Sequence, residues 1–258
     1  MSDLTGLNGL VVGIANKRSL AWGIAKAADA AGARLTLSYA NDRFAEKTRA
    51  LSETLDRPAQ LVACDVTSDD QIEALFKAID TNYGGLDFFV HAVAFASRAA
   101  ISDPFLQTSR QDFLQSLDVS AYSLVALSRG AAPLMKRRGG GSVLALTYLG
   151  SQRVFPHYNV MGVAKAALEA TVRYLADDLG HHDIRCNAIS AGPIKTLAAA
   201  GIPDFNRILQ HYRDRAPLHK TVDSSEVADA AVFLLGPQSR VVTGEVLMVD
   251  AGYHITGM

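Results

Sequence analysis

Short apolar runs alternate along the chain with longer segments whose apolar positions recur every three to four residues. The first pattern predicts strands at 10–14, 34–39, 60–64, 86–92, 142–147, 184–190 and 245–250. The second predicts helices at 20–31, 43–55, 69–83, 112–137, 158–179 and 225–235. The strand runs lack in–out alternation, the mark of parallel strands covered on both faces. Alternating β and α units with right-handed crossovers predict an α/β fold, a doubly wound, Rossmann-like sheet of seven parallel strands. With neither linker nor internal repeat, residues 1–258 read as a single domain. Two irregular stretches, 94–109 and 191–206, break the rhythm, and both follow the carboxyl ends of predicted strands. Ligands of such sheets bind at those ends, where the strand order reverses, and loops of that length are rarely idle in a compact domain.

The first predicted strand runs into Gly13, and Ser19 and Leu20 open the helix that follows. Glycine at a strand–helix junction lets the backbone approach a pyrophosphate, and the helix N-terminus offers amide donors. The full G-x-G-x-x-G spelling is absent, since Gly13 and Gly23 stand ten apart. A tight turn followed by a serine N-cap is the competing reading. The second strand ends at Tyr39-Ala40-Asn41, a neutral tip with Asp42 and Arg43 just beyond it. Without a basic residue at the tip for a 2′-phosphate, NADH is favoured, and NADPH stays open. Asp65, directly after the third strand, is read either as an acceptor for an adenine amino group or as a strand-end turn.

Composition narrows the class. Hydrophobic residues at 49% and charged ones at 20% fit a globular rather than a disordered chain. A net charge of -1 gives no electrostatic case for nucleic acid or an anionic membrane. The run Lys136-Arg137-Arg138 before Gly139 reads as a helix end, where cations offset the dipole and glycine caps the last turn. Cys64 and Cys186 fall in apolar runs and read as small buried fillers in a reducing compartment. The histidines show no metal-ligand spacing, so no metal is expected. The N-terminus enters a strand at once, leaving no room for a signal peptide, and no run is long and apolar enough to span a membrane. Together these predict a cytoplasmic protein.

The chemistry gathers in the second half. Tyr158 and Lys165 are seven positions apart, about two helical turns, and so share one helix face roughly 10 Å apart. An ammonium near a phenol favours the phenolate, which predicts a Tyr158 pKa below the ordinary ~10. A phenol beside a bound nicotinamide would stabilise an oxyanion made by hydride transfer. Tyr148, ten residues upstream, is read as a second member of the site or as a buried strand-end tyrosine. The loop 191–206 is read as a lid or as an amphipathic helix on the sheet edge.

Several segments, in order, resemble the enoyl-[acyl-carrier-protein] reductases of type II fatty-acid synthesis, a divergent branch of the short-chain dehydrogenase/reductase superfamily. They are residues 13–25, Cys64-Asp65-Val66, 91–96, Tyr148-Leu149-Gly150, 158–166, 189–198 and Asp250-Ala251-Gly252. Most of that superfamily places lysine closer to the tyrosine and a serine where Ala145 stands; the departures here are shared with the enoyl reductases. The resemblance implies an NADH-dependent enzyme reducing trans-2-enoyl thioesters on acyl carrier protein, assembled as a homotetramer. It implies Tyr158 as the group stabilising the enolate, Lys165 holding the nicotinamide ribose, and Tyr148 as a second active-site tyrosine lining the acyl pocket. Gly13, Ser19, Leu20, Asp65, Val66, Val93 and Lys165 would contact the dinucleotide. Ile194, Lys195, Thr196, Leu197 and Ala198 would lie against its nicotinamide and phosphates, and Ala96 would touch substrate. NADH-dependent members often carry glutamine where Ala40 stands, a departure at the adenosine-ribose contact. The alternatives weighed are a ketone or alcohol dehydrogenase of the same superfamily and a non-catalytic nucleotide sensor.

Overall fold

The computed structural model describes residues 3–194 and 205–257. Seven strands form one parallel sheet in the order β3-β2-β1-β4-β5-β6-β7. They are β1 (Asn8–Val12), β2 (Arg34–Tyr39), β3 (Gln60–Ala63), β4 (Phe88–His91), β5 (Gly141–Thr147), β6 (Ile184–Ala191) and β7 (Val246–Val249). Each falls on a predicted strand, displaced at its ends by a few residues at most.

Two apolar layers sandwich the sheet. Successive strand residues face opposite layers: Leu10 and Val12 meet one core and Val11 the other, as Val143 and Ala145 oppose Leu144 and Leu146. That is why these strands read as unbroken apolar runs. Helices α3 (Asp69–Tyr83), α6 (Ser123–Arg137) and α7 (Asn159–Gly180) cover the first face, and α1 (Leu20–Ala30) and α9 (Ser224–Leu235) cover the second. Helix α2 (Asp42–Ser52) completes the β2–β3 crossover. Cys64 and Cys186 are buried free thiols, pushed up to about 11 and about 12 by burial.

Three segments depart from the predicted pattern. Within the stretch 94–109 lie a short helix, α4 (Arg98–Ser102), and a 3-10 turn (Phe105–Gln107), both too brief for periodicity to reveal. The helix expected at 112–137 is α5 (Arg110–Leu117) joined to α6 through a π-helical turn, Asp118–Tyr122. Helix α8 (Phe205–Arg215) was not predicted, because it is polar and buries only Leu209 and Tyr212. Of the expected loop 191–206, Ala191 still belongs to β6 and Phe205 opens α8, while 195–204 lie outside the described residues.

The strand order reverses between β1 and β4, and the loops leaving those two strands converge. Gly13 follows β1 with φ +100, and a Cβ there would come within 2.4 Å of the Ala92 carbonyl oxygen. Glycine meets both demands, the left-handed backbone and the close approach.

Candidate active site

The residues expected to hold a dinucleotide line the carboxyl edge of the sheet. Gly13 follows β1, Asp65 and Val66 follow β3, Val93 and Ala96 follow β4, and Ile194 follows β6. Ser19 caps α1, its hydroxyl accepting from the Trp22 amide at 3.2 Å and donating to the Asn16 carbonyl at 2.8 Å, and Leu20 starts the helix. Asp65 forms a local turn, one carboxylate oxygen accepting from the Thr67 amide and hydroxyl. Both local readings of these segments therefore hold as geometry, and neither removes the residue from the crevice. Ala40 is exposed beyond β2, where Asn41 caps α2 by accepting from the Arg43 amide. Lys195, Thr196, Leu197 and Ala198 lie outside the described residues.

The donor set fits a bound dinucleotide. The α1 N-terminus points its amides and positive dipole end at the crevice. The buried Asn16 side-chain nitrogen has no partner among the described residues. A cavity of about 520 Å³ between the β1–α1 turn and α8 is lined in part by Lys17, Arg18, Ile194, Asn206 and Arg213.

Across the crevice, β5 and α7 bring the tyrosines together. Tyr148 leaves the end of β5 and Tyr158 precedes α7, and their rings meet edge to face with centroids 5.0 Å apart. Gly150 makes room: a Cβ there would come within 2.3 Å of the Tyr158 ring. His157 and Asn159, on either side of Tyr158, adopt positive φ of 60 and 40. Such strain persists only where the surroundings enforce it; here the Asn159 amide donates to the carbonyls of Ala100 and Asp103. Lys165 is buried two turns into α7, and its ammonium donates to the Leu146 carbonyl at 2.7 Å.

This arrangement corrects one expectation. The Tyr158 phenol is pushed up, not down, first by burial and then by Tyr148 and Glu169. Lys165 has turned to a backbone carbonyl and forms no hydrogen bond with the phenol. Burial itself pushes Lys165 down to about 8, with Glu169 opposing. Tyr148 is likewise pushed up to about 12, mainly by burial. Both phenols therefore keep their protons near neutral pH and can serve as hydrogen-bond donors.

Several residues of the site carry no recognisable motif. Glu169, buried one turn beyond Lys165, accepts from the Thr147 hydroxyl at 2.7 Å. Lys165 and Glu169 thus fasten α7 to consecutive residues of β5, just ahead of Tyr148. His91 at the end of β4 pairs with Ser123 at 2.7 Å, and burial then Lys165 push it down to about 3, so it is neutral. Ser120 in the π-helical turn accepts from the Phe95 amide at 3.0 Å and steadies the loop that carries Ala96. Only the four-residue spacing of Lys165 and Glu169 is a sequence signal for any of these contacts.

Comparison with known proteins places this geometry. A family profile described as Enoyl-(Acyl carrier protein) reductase matches residues 13–254. The chain is 50% identical over 258 residues to the enoyl-[acyl-carrier-protein] reductase [NADH] FabI of Bacillus cereus, covering 100% of both chains. It is 49% identical to the protein of that name from Bacillus subtilis, over 98% of each chain. A crystal structure of the Bacillus cereus reductase with NADP+ and an indole naphthyridinone superposes with a TM-score of 0.97 at 49% identity, covering 100% of both chains. The Anaplasma phagocytophilum reductase in complex with NAD superposes with a TM-score of 0.95 at 45% identity, covering 100% of this chain and 98% of that one.

Proposed function

Because the chain belongs to the enoyl-(acyl carrier protein) reductase family, we propose that it saturates trans-2-enoyl thioesters on acyl carrier protein with NADH. The observation that carries this reading is the pair of edge-to-face phenols at Tyr148 and Tyr158, beside buried Lys165 at the carboxyl edge of the sheet. Bound NADH supplies the hydride that reaches the substrate β-carbon.

The chain's own residues do the rest. Gly13, Ser19, Leu20, Asp65, Val66 and Val93 seat the dinucleotide, with Ile194, Lys195, Thr196, Leu197 and Ala198 on its nicotinamide side. Lys165 holds the ribose hydroxyls with the ammonium hydrogens that Leu146 leaves free. Tyr158 donates a hydrogen bond to the thioester carbonyl and stabilises the enolate oxygen as the double bond is reduced. A donor of this kind is commonly worth ~10²–10³ in rate. A neutral phenol suits the task better than a phenolate, which would repel that oxygen. Tyr148 lines the acyl pocket, and Ala96 touches substrate. A proton taken up from water at the α-carbon of the enolate completes the saturation.

We place the enzyme in the cytoplasm as a homotetramer. Self-association is supported by exposed apolar side chains on α5, α7 and the π-helical turn, namely Leu114, Tyr122, Val163 and Tyr174. Sedimentation analysis tests the assembly. Mixing protein with NADH and crotonyl-CoA while following nicotinamide absorbance tests the activity. Oxidation with the enoyl thioester but not with simple ketones supports the reading. Activity on ketones alone would make the protein a ketone dehydrogenase, and binding without turnover a sensor.

A further inference from the structure

Tyr212 lies on α8, 64 positions along the chain from Tyr148, yet its hydroxyl stands 3.2 Å from the Tyr148 hydroxyl. It is 1% exposed. Its ring stacks on Tyr253 with centroids 3.6 Å apart, and Phe155 lies at 6.4 Å. Phe155 also packs against Tyr148 at 5.1 Å. The shelf beneath Tyr212 is fixed. Asp250 accepts from the Gly252 and His254 amides, and Arg153 donates to the His254 and Thr256 carbonyls, which pins the turn holding Tyr253.

A phenol so enclosed must satisfy its hydroxyl locally. Among the described residues, Tyr148 is its only hydrogen-bond partner. We infer that Tyr212 is a positioning residue for the reduction: it donates to the Tyr148 oxygen, fixes that phenol in place, and leaves the Tyr148 proton for the acyl pocket. A phenol that accepts one hydrogen bond becomes a stronger donor of the next. Tyr212 thus acts through Tyr148 and touches neither substrate nor cofactor. Burial pushes both phenols up, and beyond it the bond holds the Tyr212 proton more tightly while loosening that of Tyr148.

The inference rests on the reading of Tyr148 as an active-site group, and a double-mutant cycle separates the two. Tyr212→Phe keeps the stacked ring and deletes one oxygen. Its kcat with crotonyl-CoA is expected to fall about five-fold, the worth of one neutral hydrogen bond, with KM for NADH unchanged. In a Tyr148→Phe background the same substitution should cost nothing. An unchanged kcat for Tyr212→Phe, or an equal loss in both backgrounds, overturns the inference while leaving the reductase reading intact. A wild-type protein that does not oxidise NADH with the enoyl thioester removes both. Unfolding midpoints of the same variants test the bond without turnover. Each single substitution strands the other hydroxyl, so the double variant should be less destabilised than the sum; strict additivity overturns the pairing.

Discussion

The two walls of the crevice are built by different physics. On the β1 wall, backbone and turn chemistry do the shaping: a left-handed glycine at Gly13, a serine cap at Ser19, an aspartate turn at Asp65. On the β5 wall, buried ionisable side chains do it: Lys165 on a carbonyl, Glu169 on Thr147, Tyr148 on Tyr212. The first wall suits a ligand that is held by amides and dipoles and undergoes little charge change. The second suits a reaction in which an oxygen gains charge, because a low local dielectric magnifies each preorganised donor. Changes to the tyrosines of the β5 wall should therefore appear mainly in turnover, and changes on the β1 wall in binding and stability.

The sharpest break in that contrast is Tyr158→Phe. The ring, its contact with Tyr148 and the space beside Gly150 all remain, so NADH should bind as before. Turnover with crotonyl-CoA should fall ~10²–10³-fold. A stopped-flow measurement of the hydride step together with an NADH titration checks it. Equal losses in both quantities would show that the phenol shapes the site rather than the reaction.

Gly13→Val is the matching break on the other wall. Its side chain must displace the Ala92 carbonyl, 2.4 Å from the position of a Cβ, in a backbone conformation at φ +100 that valine strongly disfavours. The expected stability loss is about 1–3 kcal/mol, seen as a lower urea midpoint, with NADH affinity falling at least about tenfold. Normal affinity in a folded variant would remove the β1–β4 junction from the cofactor seat.

The buried lysine gives the comparison a pH axis. Burial sets Lys165 at about 8 in the folded protein, below its ordinary 10.5, with Glu169 pulling it back up and His91 neutral beside it. The ammonium is lost as pH rises through about 8, so kcat/KM for NADH should decline on that limb. The stability sign is opposite. The unfolded chain binds this proton more tightly, so the penalty of burying the ammonium is full below about 8 and is relieved toward 10.5. Glu169→Gln removes the neighbouring negative charge and should move the activity limb to lower pH. A limb that stays in place would assign it to another group.

The same contrast explains what was legible in the sequence. Strands announce themselves because both faces are apolar, and the Tyr158–Lys165 spacing is local, although Tyr158 stands just ahead of α7 rather than on it. Ser19 and Asp65 act on neighbours a few residues away, so their turn chemistry is spelled locally, whereas Gly13 is read from its strand–helix junction and its close approach to Ala92 is not. The partners on the β5 wall are remote or anonymous. Leu146 contributes a carbonyl that every residue has, Thr147 lies 22 positions from Glu169, and Tyr212 lies 64 from Tyr148. The expected depression of the Tyr158 pKa failed because spacing along the chain reveals neither the burial that pushes the phenol up nor the carbonyl that engages the lysine. Helix α8 escaped because its buried stripe is only Leu209 and Tyr212.

Ser19→Ala gives the smallest expected effect and the finest resolution. The hydroxyl already donates to Asn16 and accepts from Trp22, so its two strongest bonds are spent on the turn. Deleting it should lower stability by ~1 kcal/mol, the ordinary worth of an N-cap. NADH affinity should change by less than about tenfold, since the helix amides and dipole that face the crevice remain. Urea unfolding and an NADH titration on one preparation separate the terms. A large affinity loss with unchanged stability would mean that Ser19 grips the dinucleotide directly, and that side chains as well as backbone shape the β1 wall.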